Sequence, residues 1–93
     1  MISINEYFGG NVKSLGYTSS TGKSTIGVME AGDYEFGTST HETMIVIEGE
    51  MTVKLPNSSE WTTYKAGESY QIDANNKFQV KVSGQTSYLC QYK

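Results

Sequence analysis

The sequence predicts an all-β protein of one domain, a barrel or sandwich of about nine short strands. Three observations carry this expectation. Apolar and polar residues alternate over short runs, as half-buried strands require. Clusters of Gly, Asn, Asp and Ser interrupt those runs every eight to twelve residues or so. No ten-residue window has the 3.6-residue period of an amphipathic helix. The length of 93 residues suits a single domain, and a chain this short buries only about 60–65% of its extended surface. It therefore gains from closing its sheet or from a partner.

The chain in order supports each element. Met1 to Gly10 reads as an N-terminal arm whose Ile2, Ile4, Tyr7 and Phe8 must dock onto something, because aromatic side chains are costly to leave in water. Val12 to Tyr17 forms a first strand, and Thr18 to Gly22 is a loop of small polar residues. Ser24 to Glu30 alternates, with Ile26 and Val28 on one face and Thr25, Gly27 and Met29 on the other. After the turn at Ala31 to Asp33, Tyr34, Phe36, Thr38 and Thr40 share a face. Thr43 to Ile47 is nearly continuous in apolar residues, the pattern of a strand buried on both sides. Further strands are expected around Met51 to Leu55, Trp61 to Lys65, Glu68 to Ile72, Phe78 to Val82 and Thr86 to Tyr92.

Composition narrows the function classes. Net charge is −3 and the lysines are scattered, so no basic stripe marks a nucleic-acid polymer as partner. A single cysteine, Cys90, excludes an internal disulfide and favours a reducing compartment. No apolar run approaches the roughly 18 residues of a membrane span. The first residues lack the basic start and apolar stretch of a signal peptide, so the expected location is the cytoplasm.

One motif is refused. Gly16 to Ser24, GYTSSTGKS, nearly spells a P-loop but places five residues, not four, before its Gly-Lys pair. The motif also needs a following helix whose amides meet the phosphates, and Ser24 to Glu30 reads as a strand. A hairpin loop with an exposed lysine is one alternative. The other is a phosphate ion held by the small hydroxyls, Gly22 and Lys23 without any nucleotide fold.

The segment Gly32 to Gly49, GDYEFGTSTHETMIVIEG, carries a family pattern. Cupin barrels show Gly, five residues, His-x-His, three or four residues, Glu, six residues, Gly. Gly32, Glu42 and Gly49 fit, but the histidine places fall on Thr38 and Thr40, and only His41 separates them from Glu42. The second cupin motif is matched at Gly67 and Ile72, with Asp73 near its proline place and Lys77-Phe78 near its histidine. The resemblance implies a jelly-roll-like cupin barrel. One histidine in the chain falls short of the three or four converging ligands a transition metal needs, so no metal is expected. Glu42 keeps two readings: a solvated strand-end carboxylate, or a partly desolvated acid at the barrel mouth with a raised pKa. Tyr34 and Phe36 are either core or walls for a flat ring. His41 should face away from Thr40.

Further stretches narrow the family. NEYFGGNVKSLGY, STGKSTIGVM, DYEFGTSTHETMIVIEG, the Leu55-Pro56 loop with Trp61, Tyr64 to Gly67 and the closing SYLCQY together resemble the pyrimidine/purine nucleoside phosphorylase family. The resemblance spans essentially the whole chain. It implies phosphorolysis of purine and pyrimidine nucleosides to free base and ribose 1-phosphate. It also implies a homodimer in the bacterial cytosol, with inorganic phosphate as co-substrate and no cofactor. Lys23 stands where an arginine is expected, His41 where a proline is, and Gln91 where a basic residue is. A lysine holds phosphate as a point charge and lacks the two-pronged fork of arginine.

On this reading Lys23 with Thr38 or Thr40 binds phosphate. Glu42 serves the base or the ribose hydroxyls, and Tyr17 or Tyr34 stacks on the base. Two rival functions use the same alternating strands. One is a barrel that binds a nucleoside or sugar without turnover. The other is a structural protein whose Met29, Met44 and Met51 line a dimer interface.

Overall fold

Strands with an apolar residue at every second position each have one face to bury, and two sheets laid face to face bury both sets at once. The computed structural model, which describes residues 1–93, does this with ten strands. They are β1 (Ser3–Tyr7), β2 (Val12–Ser19), β3 (Gly22–Met29), β4 (Gly32–Gly37), β5 (Glu42–Glu48), β6 (Glu50–Lys54), β7 (Thr62–Lys65), β8 (Ser69–Ile72), β9 (Lys77–Val82) and β10 (Thr86–Tyr92). A six-stranded sheet runs β1-β2-β3-β10-β5-β8 and a four-stranded sheet runs β4-β9-β6-β7. Every pairing is antiparallel.

The core lies between the sheets. Phe78, Val80 and Val82 of β9 face it from one side, and Met44, Val46, Tyr88 and Cys90 of β5 and β10 face it from the other. Two glycines are required by the packing. A Cβ on Gly27 would overlap the Tyr88 ring, which lies across β3. Gly49 turns the chain from β5 to β6 with a φ of +90°, in the left-handed region that favours glycine.

The expected all-β fold is found, as two open sheets in place of a closed barrel, and with ten strands in place of nine. The additional strand is β1, which occupies the edge of the six-stranded sheet, pairing Tyr7 with Val12. Phe8, Gly9 and Gly10 then reverse the chain, all with positive φ. The expected Thr18–Gly22 loop contracts to a two-residue turn, because Ser19 already pairs with Gly22. Its hydroxyls bond locally, with Ser19 Oγ 3.0 Å from Thr21 Oγ1. The expected shared face holds for Tyr34 and Phe36 only, since β4 ends at Gly37 and period two lapses before Thr38, which is buried, and Thr40, which is exposed.

Burial names a face that alternation left open, corrects one expectation and closes one rival reading. Of the two faces of β3, the one carrying Ile26 and Val28 points outward, leaving them 42% and 50% exposed. β5 is buried on one face only, and Ile47 is exposed. Met29, Met44 and Met51 are core residues, each no more than 4% exposed, and so are not available as an interface. The register also lines up Ile4, Leu15, Ile26, Leu89 and Ile45 as a row across the outer face of the six-stranded sheet. No helix is long and apolar enough to cross a membrane.

Candidate functional site

Period two assigns the chemistry of the inner face. On β10, Tyr88, Cys90 and Tyr92 share that face; on β5, Glu42 shares it with Met44 and Val46. Glu42 and Tyr92 are opposite one another at the last rung of the β5–β10 pairing. On β3, Lys23 and Thr25 fall in phase with Gly27 and Met29, so Lys23 sits at the open end of the same face.

Two cavities result, of opposite chemistry. The first, about 380 Å³, is lined from both sheets by Phe36, Phe78, Met44, Tyr88 and Cys90, with Tyr7 and Phe8 at its rim. Its charged groups are Glu35 and Glu42, and no cation lines it. The Phe36 ring lies 5.7 Å from Phe78 and 5.5 Å from Phe8, at distances where aromatic rings attract. Such a space suits an uncharged flat ring and disfavours an anion. The second cavity, about 450 Å³, lies at the β2–β3 hairpin end, where Ser3, Thr18, Thr25, Ser39 and Thr40 present hydroxyls. Lys23 is its only charged side chain. Hydroxyl donors around one cation suit an oxyanion.

Tyr92 is the one residue that lines both cavities. Its hydroxyl is 3.1 Å from Thr25 Oγ1. Next to it the Cys90 thiol donates to Glu42 Oε1 at 3.4 Å. Burial raises the Glu42 pKa above the ordinary carboxylate value, opposed by the Cys90 hydrogen bond and by nearby His41. Burial and the Glu42 charge push the Cys90 thiol up to about 12, so at neutral pH it is a hydrogen-bond donor and not a nucleophile. The Tyr88 phenol is pushed up to about 12, mainly by burial.

The residues singled out in the sequence are divided between these places. Glu42 lines the aromatic cavity, while Lys23, Thr40 and Tyr17 line the hydroxyl-rich one. Thr38 and Tyr34 line neither. The Thr38 hydroxyl donates to the Asp73 carbonyl at 2.7 Å and accepts from the Asn76 N–H at 3.1 Å, pinning the loop that presents Ser39 and Thr40. The Tyr34 hydroxyl donates to the Glu30 carbonyl at 2.6 Å, and its ring backs Phe8 at 5.0 Å. Tyr92, Thr25, Cys90 and Phe8 were not singled out. The alternation of Tyr88, Cys90 and Tyr92 was the available signal, but it does not say which face looks into a cavity.

His41 Nε2 is 3.1 Å from Gln71 Oε1, outside both cavities. No group of three or more His, Cys, Asp or Glu side chains converges, so these residues do not fit the metal that cupin folds commonly hold. Both cavities are therefore read through organic side chains alone.

The comparisons agree with this architecture. The family model for pyrimidine/purine nucleoside phosphorylase matches residues 2–92. A pyrimidine/purine nucleoside phosphorylase of Pseudomonas syringae pv. syringae is 53% identical over 93 residues, covering all of both chains. A crystal structure of a protein of unknown function from Vibrio parahaemolyticus superimposes with a TM-score of 0.96 at 42% identity, covering 100% of this chain and 99% of that one. An RmlC-like cupin from Shewanella frigidimarina has a TM-score of 0.74 at 15% identity, covering 99% and 83%, which shows the cupin fold alone. The chain belongs to the pyrimidine/purine nucleoside phosphorylase family.

Proposed function

We propose that this chain is a nucleoside phosphorylase, a pentosyltransferase that cleaves purine and pyrimidine nucleosides with inorganic phosphate. The observation that carries the reading is the pair of adjoining cavities, one aromatic and acidic, the other cationic and hydroxyl-rich. Phosphorolysis needs both: a place for a neutral base and a place for phosphate, one sugar apart. Lys23 and Thr40 bind phosphate, and Thr38 holds the loop that presents Thr40. Tyr17 flanks the phosphate side, and Tyr34 supports the aromatic wall through Phe8.

A phosphate oxygen forms its bond to C1′ as the C1′–N bond breaks and that electron pair passes to the base. Glu42, whose pKa is raised by burial, gives its proton from the acid form to the departing base nitrogen. The products are free base and ribose 1-phosphate, and the proton released from the new phosphate ester restores Glu42 through solvent. Stacking on the aromatic rings reads no base edge, which fits tolerance of purines and pyrimidines alike.

We place the reaction in the cytoplasm, where a lone cysteine such as Cys90 stays reduced. The active form is a homodimer, for which the outward row of Ile4, Leu15, Ile26, Leu89 and Ile45 is the favoured contact. The test is phosphate-dependent release of uracil from uridine and hypoxanthine from inosine by purified protein. Base release that ignores phosphate, or nucleoside binding with no release at all, rejects the assignment. The latter outcome would leave a nucleoside-binding β-sandwich without turnover.

A further inference from the structure

The partition between the two cavities has its own chemistry. It consists of Tyr92, the shared lining residue, hydrogen-bonded to Thr25 of the second cavity. In that pair one hydroxyl donates and the other accepts, which leaves one O–H whose nearest acceptor is the weakly accepting Cys90 sulfur, and lone pairs able to accept. Tyr92 is the residue the two cavities share, so a molecule that reaches into both would pass it. Tyr92 is also firmly placed. Its backbone closes the β5–β10 ladder opposite Glu42, and the next residue, Lys93, donates its N–H to the His41 carbonyl at 2.9 Å.

We infer that Tyr92, with Thr25, is the positioning residue for the sugar: its hydroxyl takes a ribose hydroxyl at the partition and holds C1′ between the phosphate and Glu42. This rests on the nucleoside phosphorylase reading and adds to it the place of the sugar. A base alone reaches only the aromatic cavity, and phosphate alone only the other. A pentose bearing either one must meet Tyr92, so the site recognises pentosyl compounds as a class. Misplacement at this point is costly, because proximity effects depend on sub-ångström alignment of C1′ with its nucleophile.

Calorimetric titration of the full chain with uridine, ribose 1-phosphate and inorganic phosphate tests this separately from turnover. Tyr92→Phe keeps the ring that divides the cavities and removes only the hydroxyl. Loss of one neutral hydrogen bond predicts about 3- to 10-fold weaker binding of uridine and of ribose 1-phosphate. Inorganic phosphate should bind within about twofold of wild type. Thr25→Val, nearly isosteric, should show the same selective loss, while Lys23→Ala should weaken both phosphate-bearing ligands and spare uridine. In the steady state Tyr92→Phe should raise the nucleoside KM and lower kcat, leaving the phosphate KM in place. Unchanged affinity of Tyr92→Phe for both pentosyl ligands overturns the inference, and so does an equal loss for phosphate. If wild type binds uridine but releases no uracil with phosphate, the phosphorylase reading fails while the same binding ratios still decide the role of Tyr92. Failure of wild type to bind either pentosyl ligand overturns both.

Discussion

Glu42→Gln is the most informative single substitution. The amide has nearly the shape of the acid and still offers an oxygen to the Cys90 thiol, which lies 3.4 Å from Glu42 Oε1, so the wall of the aromatic cavity is preserved. What disappears is the transferable proton. General acid catalysis contributes about 10²- to 10⁴-fold. Because the half-buried carboxyl has only one hydrogen-bonded neighbour to rearrange, a loss of about 10²-fold in kcat is expected with little change in the nucleoside KM. The pH dependence adds a second reading. The folded-state pKa lies above the unfolded one, chiefly through desolvation, so the folded protein holds the proton more tightly. The stability this contributes is fully present below the unfolded pKa and is lost as pH rises through the raised folded value. Wild-type phosphorolysis should decline over that same rise as the acid form is depleted. Glu42→Gln should flatten both dependences and be at least as stable as wild type at neutral pH, by urea unfolding. The assay is uracil release at saturating phosphate across pH. A kcat within twofold of wild type, with an unchanged pH profile, would falsify the role assigned to Glu42.

Other perturbations act on separate parts of the molecule. Lys23→Ala removes the only cationic side chain of the hydroxyl-rich cavity and should raise the phosphate KM about 10- to 100-fold, from the loss of a charge-assisted hydrogen bond. An unaltered phosphate KM would move the anion elsewhere. Gly27→Ala forces a methyl into the Tyr88 ring and should destabilise the fold by about 1–3 kcal/mol, read as a lower urea midpoint with unchanged slope. Wild-type stability would mean that Tyr88 moves aside freely. Ile26→Asp puts a charge in the middle of the outward apolar row and should shift sedimentation from dimer to monomer. A dimer that survives it uses another face.

Much of the fold was legible because strand periodicity is a local property. Phe78, Val80 and Val82 alternate in the chain and are buried in that order in the sandwich. The rejected P-loop was also a local matter, and the residues after Gly22 do form a strand. The faces were harder. Ile26 and Val28 satisfy the alternation as well as Met29 does, yet they point outward, since period two separates two faces without naming the buried one. Strand β1 was read only as an arm, because an edge strand is created by its single neighbour, here β2.

The site divides the same way. The chain alone determined the family, through the order and spacing of its stretches from NEYFGG to SYLCQY. It also determined that one histidine and one cysteine cannot assemble the usual metal site, since donors that are absent from a sequence cannot be supplied by folding. Glu42 could be chosen from spacing because its distance from Gly49 is a feature of the chain. Tertiary structure alone decided that Glu42 and Lys23 belong to different cavities, that the Thr38 hydroxyl is used within the fold, and that Tyr92 stands between the two sites. Those facts depend on β10 lying between β3 and β5, which brings residues 23–25, 42 and 90–92 together across most of the chain's length. Pairing between distant strands is set by the packing of the whole core, and no local pattern of residues records it.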